Sequence, residues 1–213
     1  MRDRSHRCVV NRMDRYVTLN GDGEGMLRER ASRFIGIAFP IEDETVFKDR
    51  LALIARAHHS SRHLCYAWVL GEDGSNTRAN DAGEPAGTAG RPILRRIQQF
   101  GLTFTAVVVV RYFGGTLLGK AGLVSAYGRA AQLALEQAPS IQRITRTTVV
   151  IHCTYAQVET VRKDVQQHDG ELINSVFTDT CVLTVALPRD GAPAVIGHWK
   201  KSGIETTRVD QGM

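Results

Sequence analysis

The residues best suited to acid–base chemistry lie in and before a glycine-rich stretch at positions 80–90, NDAGEPAGTAG. Its polar and turn-forming residues are Asp81, Gly83, Glu84, Pro85, Gly87, Thr88 and Gly90. Asp81, Glu84 and the earlier His63 are residue types that serve as general acid or base, so one hypothesis is a small hydrolase acting on a phosphorylated or peptidic substrate. The structural alternative is that Asp81 stabilises a turn and Thr88 caps the next helix.

A second stretch, at positions 111–120, offers positive charge beside an aromatic ring. Arg111 and Tyr112 are adjacent, a pairing suited to the phosphates and bases of single-stranded RNA. The candidate nucleic-acid contacts are Arg91, Arg111, Tyr112, Gly114, Gly115 and Lys120. The alternative is that Arg111 pairs with Asp81 or Glu84 inside the protein. An Arg111 fully locked by internal carboxylates, with no accessible face, would contradict the RNA interface.

The same stretch matches the pattern G-x-x-x-x-G-K of phosphate-binding loops between Gly114 and Lys120. Ala121 follows where Ser or Thr should supply a hydroxyl to magnesium. Leu117 and Leu118 fit a buried first helical turn better than a loop that wraps phosphates. We therefore predict no nucleoside triphosphatase site, and we predict neither a metal nor a cofactor.

These stretches are positioned by elements that the apolar pattern predicts. Four valines at 107–110 favour a strand covered on both faces, and the glycines after it allow a turn into a helix that starts near Leu117. Earlier elements of the same domain are a strand at 34–39, a helix from Thr45, a strand at 63–70, a loop at 71–90 and a helix containing Pro92.

The chain after position 140 predicts a second, smaller domain, since Pro139 and Ser140 end the long helix. Strands at 147–153, 171–177, 180–187 and 204–209 alternate with helices at 155–168 and 192–201. This βαββαβ order is that of a ferredoxin-like split βαβ fold. The predicted organisation is an α+β protein with domains at 26–140 and 145–210, after a basic tail at 1–25 that we predict to be disordered.

Composition limits the class of protein. The apolar fraction is 43%, the charged fraction is 23%, and the net charge of +5 is compatible with an anionic partner such as RNA. No apolar run approaches the length of about 20 residues that spans a bilayer, and no signal core is visible, so we predict a cytoplasmic protein. The four cysteines, Cys8, Cys65, Cys153 and Cys181, form no Cys-x-x-Cys pair and favour buried free thiols over zinc or a disulfide framework.

Two long motifs carry a family resemblance. The stretch at 80–90 and the stretch VVRYFGGTLLG at 109–119, followed by GLVSAY at 122–127, resemble the signature of the IMPACT (YigZ-like) family. Shorter blocks at 32–34, 58–67, 173–175 and 182–188 are similar to it too. The pair Lys120-Ala121 departs from the more glycine-rich form common in the family, and Lys120 adds a cation there.

The resemblance implies a fold for each domain. The family's first domain resembles the second domain of a small-subunit ribosomal protein, and its second domain resembles the ferredoxin-like fifth domain of elongation factor G. Bacterial members are similar to translation-associated or RNA-binding proteins. We therefore expect a non-enzymatic regulator that binds RNA or the ribosome, and a protein of the translation machinery is a second candidate partner. The alternatives are the small hydrolase described above and a protein-interaction module whose partner contacts an apolar patch.

Overall fold

The computed structural model describes residues 15–209 of the 213-residue chain, and these divide into two compact units. The first unit runs from Tyr16 to Arg143, and the second begins at Ile144. Both units combine strands with helices, so the prediction of a two-domain α+β protein is confirmed. None of the helices within residues 15–209 has the length and apolar character needed to cross a membrane.

The first unit is built on a five-stranded antiparallel sheet. Its elements are β1 (Arg15–Leu19), β2 (Gly23–Glu29), β3 (Ser32–Pro40), α1 (Glu44–Ala57), β4 (His63–Leu70), β5 (Asn76–Asn80), α2 (Gly90–Gln99), β6 (Thr105–Tyr112), α3 (Gly119–Gln137) and β7 (Ser140–Ile144). The sheet has the strand order β2-β3-β6-β4-β5, and β1 and β7 form a separate two-stranded sheet.

Strand β6 lies at the centre of the five-stranded sheet because its valines are covered on both faces. Val107 and Val109 belong to the apolar cluster shared with α2 and α3, whereas Val108 and Val110 belong to the cluster shared with α1. All four are fully buried, and each such side chain contributes about 1.5–3 kcal/mol to folding. The predicted two-sided valine strand is confirmed, and it gives the residues at its exit a rigid base.

Two strands lie where we predicted a disordered tail. Residues 15–25 contain β1 and the start of β2, so that prediction is wrong for them, whereas residues 1–14 lie outside the described part of the chain. The glycines that favoured disorder serve close packing instead. A Cβ atom at Gly23 or Gly25 would overlap the main chain of α3, so only glycine allows the helix to lie this close to β2.

Other boundaries also differ from the sequence prediction. The predicted loop at 71–90 contains β5, an edge strand whose residues are all exposed and therefore lack apolar alternation. Helix α3 begins at Gly119 and not near Leu117, and Leu117 is exposed where we predicted a buried helical turn. Gly119 has a φ of 70°, so the residues before it do not continue the helix.

The second unit has the predicted element order. Its elements are β8 (Arg146–Cys153), α4 (Tyr155–Gln167), β9 (Glu171–Phe177), β10 (Cys181–Pro188), α5 (Ala192–Lys201) and β11 (Glu205–Val209). The strands form an antiparallel sheet in the order β11-β8-β10-β9, so β10 lies between the two strands that α4 connects. This is the ferredoxin-like split βαβ arrangement. Apolar residues of β8 and β10 pack with Val161 of α4 and Trp199 of α5 to form its core.

Candidate nucleic-acid interface

The guanidinium of Arg111, the central residue of the predicted interface, is buried at the exit of β6. Main-chain pairing places Arg111 opposite Phe34 of β3 and opposite His63 of β4. Its Nη1 donates to Glu84 Oε1 at 2.5 Å, and only 5% of the residue is exposed. An internal carboxylate therefore holds this charge, as in the alternative in which Arg111 pairs with Glu84 inside the protein. Arg111 also lines a cleft together with Glu84.

Glu84 is the acceptor of a buried hydrogen-bond network. The hydroxyl of Tyr127 in α3 donates to the same carboxylate oxygen at 2.7 Å. The thiol of Cys65 in β4 donates to the main-chain carbonyl of Asp81 at 3.0 Å. Burial raises the pKa of Cys65 to about 12 and raises the pKa of Tyr127 above its ordinary value, so both groups stay protonated at neutral pH. These contacts tie the 80–90 loop to the sheet and to α3.

Asp81 closes the same loop onto the start of α2. Its Oδ1 accepts from the amides of Ala89 and Gly90 at 2.9 Å each, and its Oδ2 accepts from the amide of Gly87 at 2.8 Å. Partial burial alone would raise the pKa of Asp81, but the three amide donors and the nearby Arg91 together lower it. Asp81 therefore satisfies helix N-terminal amides that have no partner within the helix.

Asp81 takes the capping role that the structural alternative assigned to Thr88. The hydroxyl of Thr88 donates to the carbonyl of Pro85 at 2.7 Å, and α2 receives no cap from the residue that precedes it, Ala89. Gly83 has a φ of 86°, which favours glycine in this loop. The loop residues thus stabilise a turn and a helix start.

The three hydrolase candidates do not meet in one pocket. His63 donates through Nδ1 to the carbonyl of Ala82 at 2.9 Å. His63 and Glu84 line a common cleft, whereas Asp81 does not line it in the described part of the chain. Since Glu84 pairs with Arg111, these residues have structural contacts and not the geometry of an acid–base pair.

That cleft, which we call the Lys120 cleft, has a volume of about 520 Å³. Arg62, His63, Lys120 and the Glu84-paired Arg111 supply its basic groups. Phe113 and Leu117 supply apolar surface. Lys120 is the second residue of α3, whose N-terminus has no side-chain cap. The cleft therefore presents cations next to helix amides that have no partner within the helix.

A second cleft, the arginine cleft, has a volume of about 370 Å³ and shares Phe113 with the first. Arg28, Arg30 and Arg33 line it at the β2–β3 hairpin, together with Tyr112. The guanidinium of Arg33 lies 4.4 Å from the ring centre of Tyr112, and the hydroxyl of Tyr112 is 2.9 Å from Nδ1 of His58. Arg33 Nε is buried and has no hydrogen-bond partner among residues 15–209.

Besides the paired Arg111, five cations line the two clefts, and we call them the basic rim: Arg28, Arg30, Arg33, Arg62 and Lys120. None of the five forms an ion pair within residues 15–209. Arg30 donates instead to the neutral carbonyl of Leu117 at 2.9 Å. Among the described lining residues, the carboxylate is Glu84, which Arg111 neutralises. The rim therefore concentrates uncompensated positive charge.

The other predicted contacts have different positions. Lys120 is exposed, and Tyr112 is half-buried under Arg33. Arg91 is exposed but lines neither cleft. Gly114 lies so close to the carbonyl of Ala31 that a Cβ atom would overlap it, and Gly115 has a φ of 88°. Both glycines therefore shape the turn after β6.

Comparison with known proteins identifies the family. The family model of the Impact N-terminal domain matches residues 30–135, and a domain of unknown function, DUF1949, matches residues 151–197. The IMPACT family member YigZ of Escherichia coli K12 is 37% identical over 161 residues, which cover 75% of this chain and 79% of YigZ. The chain belongs to the IMPACT family. This membership favours a translation-related regulator as the class of protein.

Two further relatives agree with the assignment to the IMPACT family. A member from Thermus thermophilus, named for its position in the pol 5′ region, is 39% identical over 162 residues, which cover 75% of this chain and 86% of that protein. A crystal structure of a hypothetical protein superposes with a TM-score of 0.68 at 30% identity, over 93% of this chain and 99% of the other. The similarity thus extends across both units.

In this IMPACT family member, sequence reasoning missed four of the five rim cations and Phe113. Arg28, Arg30 and Arg33 follow one another closely, and this charge cluster was the available signal. The cluster did not lead to a predicted site, because Arg28 and Arg30 follow closely after the segment at 1–25 that was predicted to be disordered. Arg62 precedes β4, and its place beside Lys120 depends on sheet pairing that the sequence does not show.

Proposed function

We propose that this IMPACT family member binds single-stranded RNA, free or on the ribosome, through the basic rim, and that it acts in translation without catalysing a reaction. Such a role would place the protein in the cytoplasm. The observation that supports the proposal is the set of five cations without carboxylate partners around two clefts that share an aromatic ring. Arg111 has no part in it, because its charge is held by Glu84.

Cations without partners favour a polyanion because binding releases the counterions condensed on its phosphates. A guanidinium whose charge is already paired, such as that of Arg111, adds little to this term. Arg28, Arg62 and Lys120 form no side-chain hydrogen bond or ion pair with another described residue, so their charges are available to phosphate oxygens. The unsatisfied Nε of Arg33 is one more donor beside the arginine cleft.

The aromatic residues favour a single strand over a duplex. Phe113 is 38% exposed and lies between the two clefts, where an unstacked base can contact its ring. Bases in a duplex are stacked on each other and do not reach such a ring. At the start of α3, main-chain amides can donate to a phosphate next to Lys120. The rim thus offers phosphate and base contacts side by side.

The test compares two double variants that lose the same charge. Arg28→Gln with Lys120→Gln removes one exposed cation from each cleft, whereas Arg56→Gln with Arg95→Gln removes two exposed cations that line neither cleft. Fluorescence anisotropy with a labelled single-stranded RNA is recorded over a salt series. We expect the slope of log K against log salt to fall by about 1.4 in the rim variant, at about 0.7 per phosphate contact, and to change little in the control.

Two outcomes contradict the proposal. One is the absence of binding to RNA and to ribosomes at low salt. The other is an equal loss in the rim and control variants, which would indicate attraction by net charge alone.

A further inference from the structure

Two of the cysteines that are distant in the sequence face each other in the second unit. Cys153 is the last residue of β8, and Cys181 is the first residue of β10. In the antiparallel ladder between these strands they form a directly opposed pair. Both are free thiols, and both are buried.

The strand geometry brings the two thiols within bonding reach. Directly opposed residues of antiparallel strands have Cα atoms about 4.5–5.5 Å apart, and disulfides form at Cα separations of about 4.4–6.8 Å. Opposed residues also project from the same face of the sheet. Cys153 and Cys181 both belong to the apolar cluster that α4 and α5 cover. A bond between their sulfur atoms therefore requires no change of strand register.

We propose that Cys153 and Cys181 form a reversible cross-strand disulfide when the protein meets hydrogen peroxide or a disulfide oxidant such as oxidised glutathione. With peroxide, one thiolate attacks an oxygen atom, the O–O bond breaks, and a sulfenic acid forms with release of hydroxide. The second thiol attacks the sulfenic sulfur, and water leaves as the S–S bond forms. Two thiols and one peroxide thus give one disulfide and two waters, and a reducing thiol reverses the change.

The position of the pair governs its reactivity. Burial raises the pKa of Cys153, and the adjacent Cys181 raises it further, so little thiolate is present at neutral pH. The pair lies at one end of the β8–β10 ladder, and Cys181 also begins the pairing of β10 with β9. Opening of strand ends requires less free energy than global unfolding. Oxidation is therefore slow, and its rate increases with pH.

The disulfide would restrain one half of the second unit. It closes a loop that contains α4 and β9, and β9 is one of the two edge strands of the sheet. A covalent bond across β8 and β10 restricts the unfolded chain and so stabilises the folded unit. Cys65 serves as an internal control, because it is buried in the first unit and bonded to the carbonyl of Asp81.

Peptide mapping of the oxidised full-length protein tests the proposal. The protein is treated with peroxide or oxidised glutathione at pH 7 and pH 9, remaining thiols are alkylated, and trypsin is added. We expect the peptides 147–162 and 164–189 to be joined, with more of the joined product at pH 9, and loss of the link on reduction. Separate alkylation, glutathionylation or further oxidation of the two cysteines would overturn the proposal, as would a bond from either one to Cys8 or Cys65.

Variants give a second readout. Cys181→Ser should abolish the linked peptides, whereas Cys65→Ser should leave them unchanged. If Cys181→Ser fails to fold, peptide mapping of the unmodified chain still shows whether Cys153 and Cys181 are linked. Oxidation should raise the Tm of the second unit's transition by about 5 °C or more in the Cys65→Ser protein. An unchanged or lower Tm in a protein with the bond formed would overturn the proposed stabilisation.

Discussion

Two regions next to Arg111 differ in how their polar groups are used. The 80–90 loop is rich in motif residues, yet its two carboxylates are occupied by Arg111, Tyr127 and main-chain amides. The β2–β3 hairpin also reaches Arg111, through Ser32 at 3.5 Å. Its three arginines have no carboxylate partner within the described residues. The 80–90 loop therefore stabilises the fold, whereas the β2–β3 hairpin presents positive charge.

The contrast shows how a recognisable motif can describe architecture instead of a binding surface. Acids and glycines at 80–90 are the residue types of an active site, but they are also those of a tight turn and a helix cap. A count of hydrogen bonds decides between these interpretations, because an occupied acceptor is not available to a ligand. By that criterion, Asp81 and Glu84 stabilise the fold, and the basic rim is the candidate for recognition.

The largest expected effect is the loss of the buried counter-charge. Glu84→Gln keeps the shape of the side chain but leaves Arg111 buried without a carboxylate, so we expect the free energy of unfolding to fall by about 3–5 kcal/mol. Urea denaturation measures this loss. The control Glu136→Gln removes the exposed partner of Arg129 and should cost at most about 0.5 kcal/mol. Equal small losses in both variants would show that the 80–90 loop is not anchored by this pair.

A smaller effect is expected at Asp81, and it depends on pH. The folded state lowers the pKa of this carboxyl group, so its contribution to stability is present above the unfolded-state pKa of about 3.9 and is lost as the pH falls through the lower folded-state pKa. Asp81→Asn should cost about 1–2 kcal/mol at pH 7 and reduce the loss of stability in acid. Denaturation between pH 7 and pH 2 measures both. The control Asp49→Asn changes an exposed site on α1 and should keep the stability and pH dependence of the unmodified protein. If Asp81→Asn also kept both, Asp81 would not stabilise the start of α2.

The smallest expected effect concerns the ring between the clefts. Phe113→Ala should lower the affinity for single-stranded RNA about tenfold, because base stacking is lost, and it should leave the salt slope unchanged, because no charge is lost. The matched control is Phe100→Ala, since Phe100 is 40% exposed and Phe113 is 38% exposed. Equal affinity of the two variants in a titration at fixed salt would show that Phe113 does not stack on a base.

Much of the fold is predictable from local pattern. The valine strand, the helices and the βαββαβ order of the second unit follow from apolar period and turn residues. The misses have tertiary causes. Gly23 and Gly25 indicate flexibility until α3 is placed against them, and β5 is polar because it lies at a sheet edge.

The site was less predictable, because its chemistry depends on which side chains the fold brings into contact. The sequence left open whether Arg111 binds RNA or an internal acid, and only the fold shows Glu84 within 2.5 Å of it. The sequence alone does not relate Cys153 to Cys181, because α4 and β9 separate them, although β8 and β10 place them in register. Lys120 is exposed, since a lysine in the first turn of a helix has few ways to be buried, and its contact with RNA stays a prediction.

One titration tests most directly whether the basic rim, and not the motif arginine, holds the RNA. The double variant Arg111→Met with Glu84→Gln removes the buried charges and keeps the net charge, whereas Arg28→Gln with Lys120→Gln removes rim charges. Binding of single-stranded RNA is measured for both over the same salt series, after circular dichroism confirms folding. We predict that the first variant keeps the slope of log K against log salt of the unmodified protein. In the second variant this slope should fall by about 1.4. A lower slope in the first variant and an unchanged slope in the second would contradict the account.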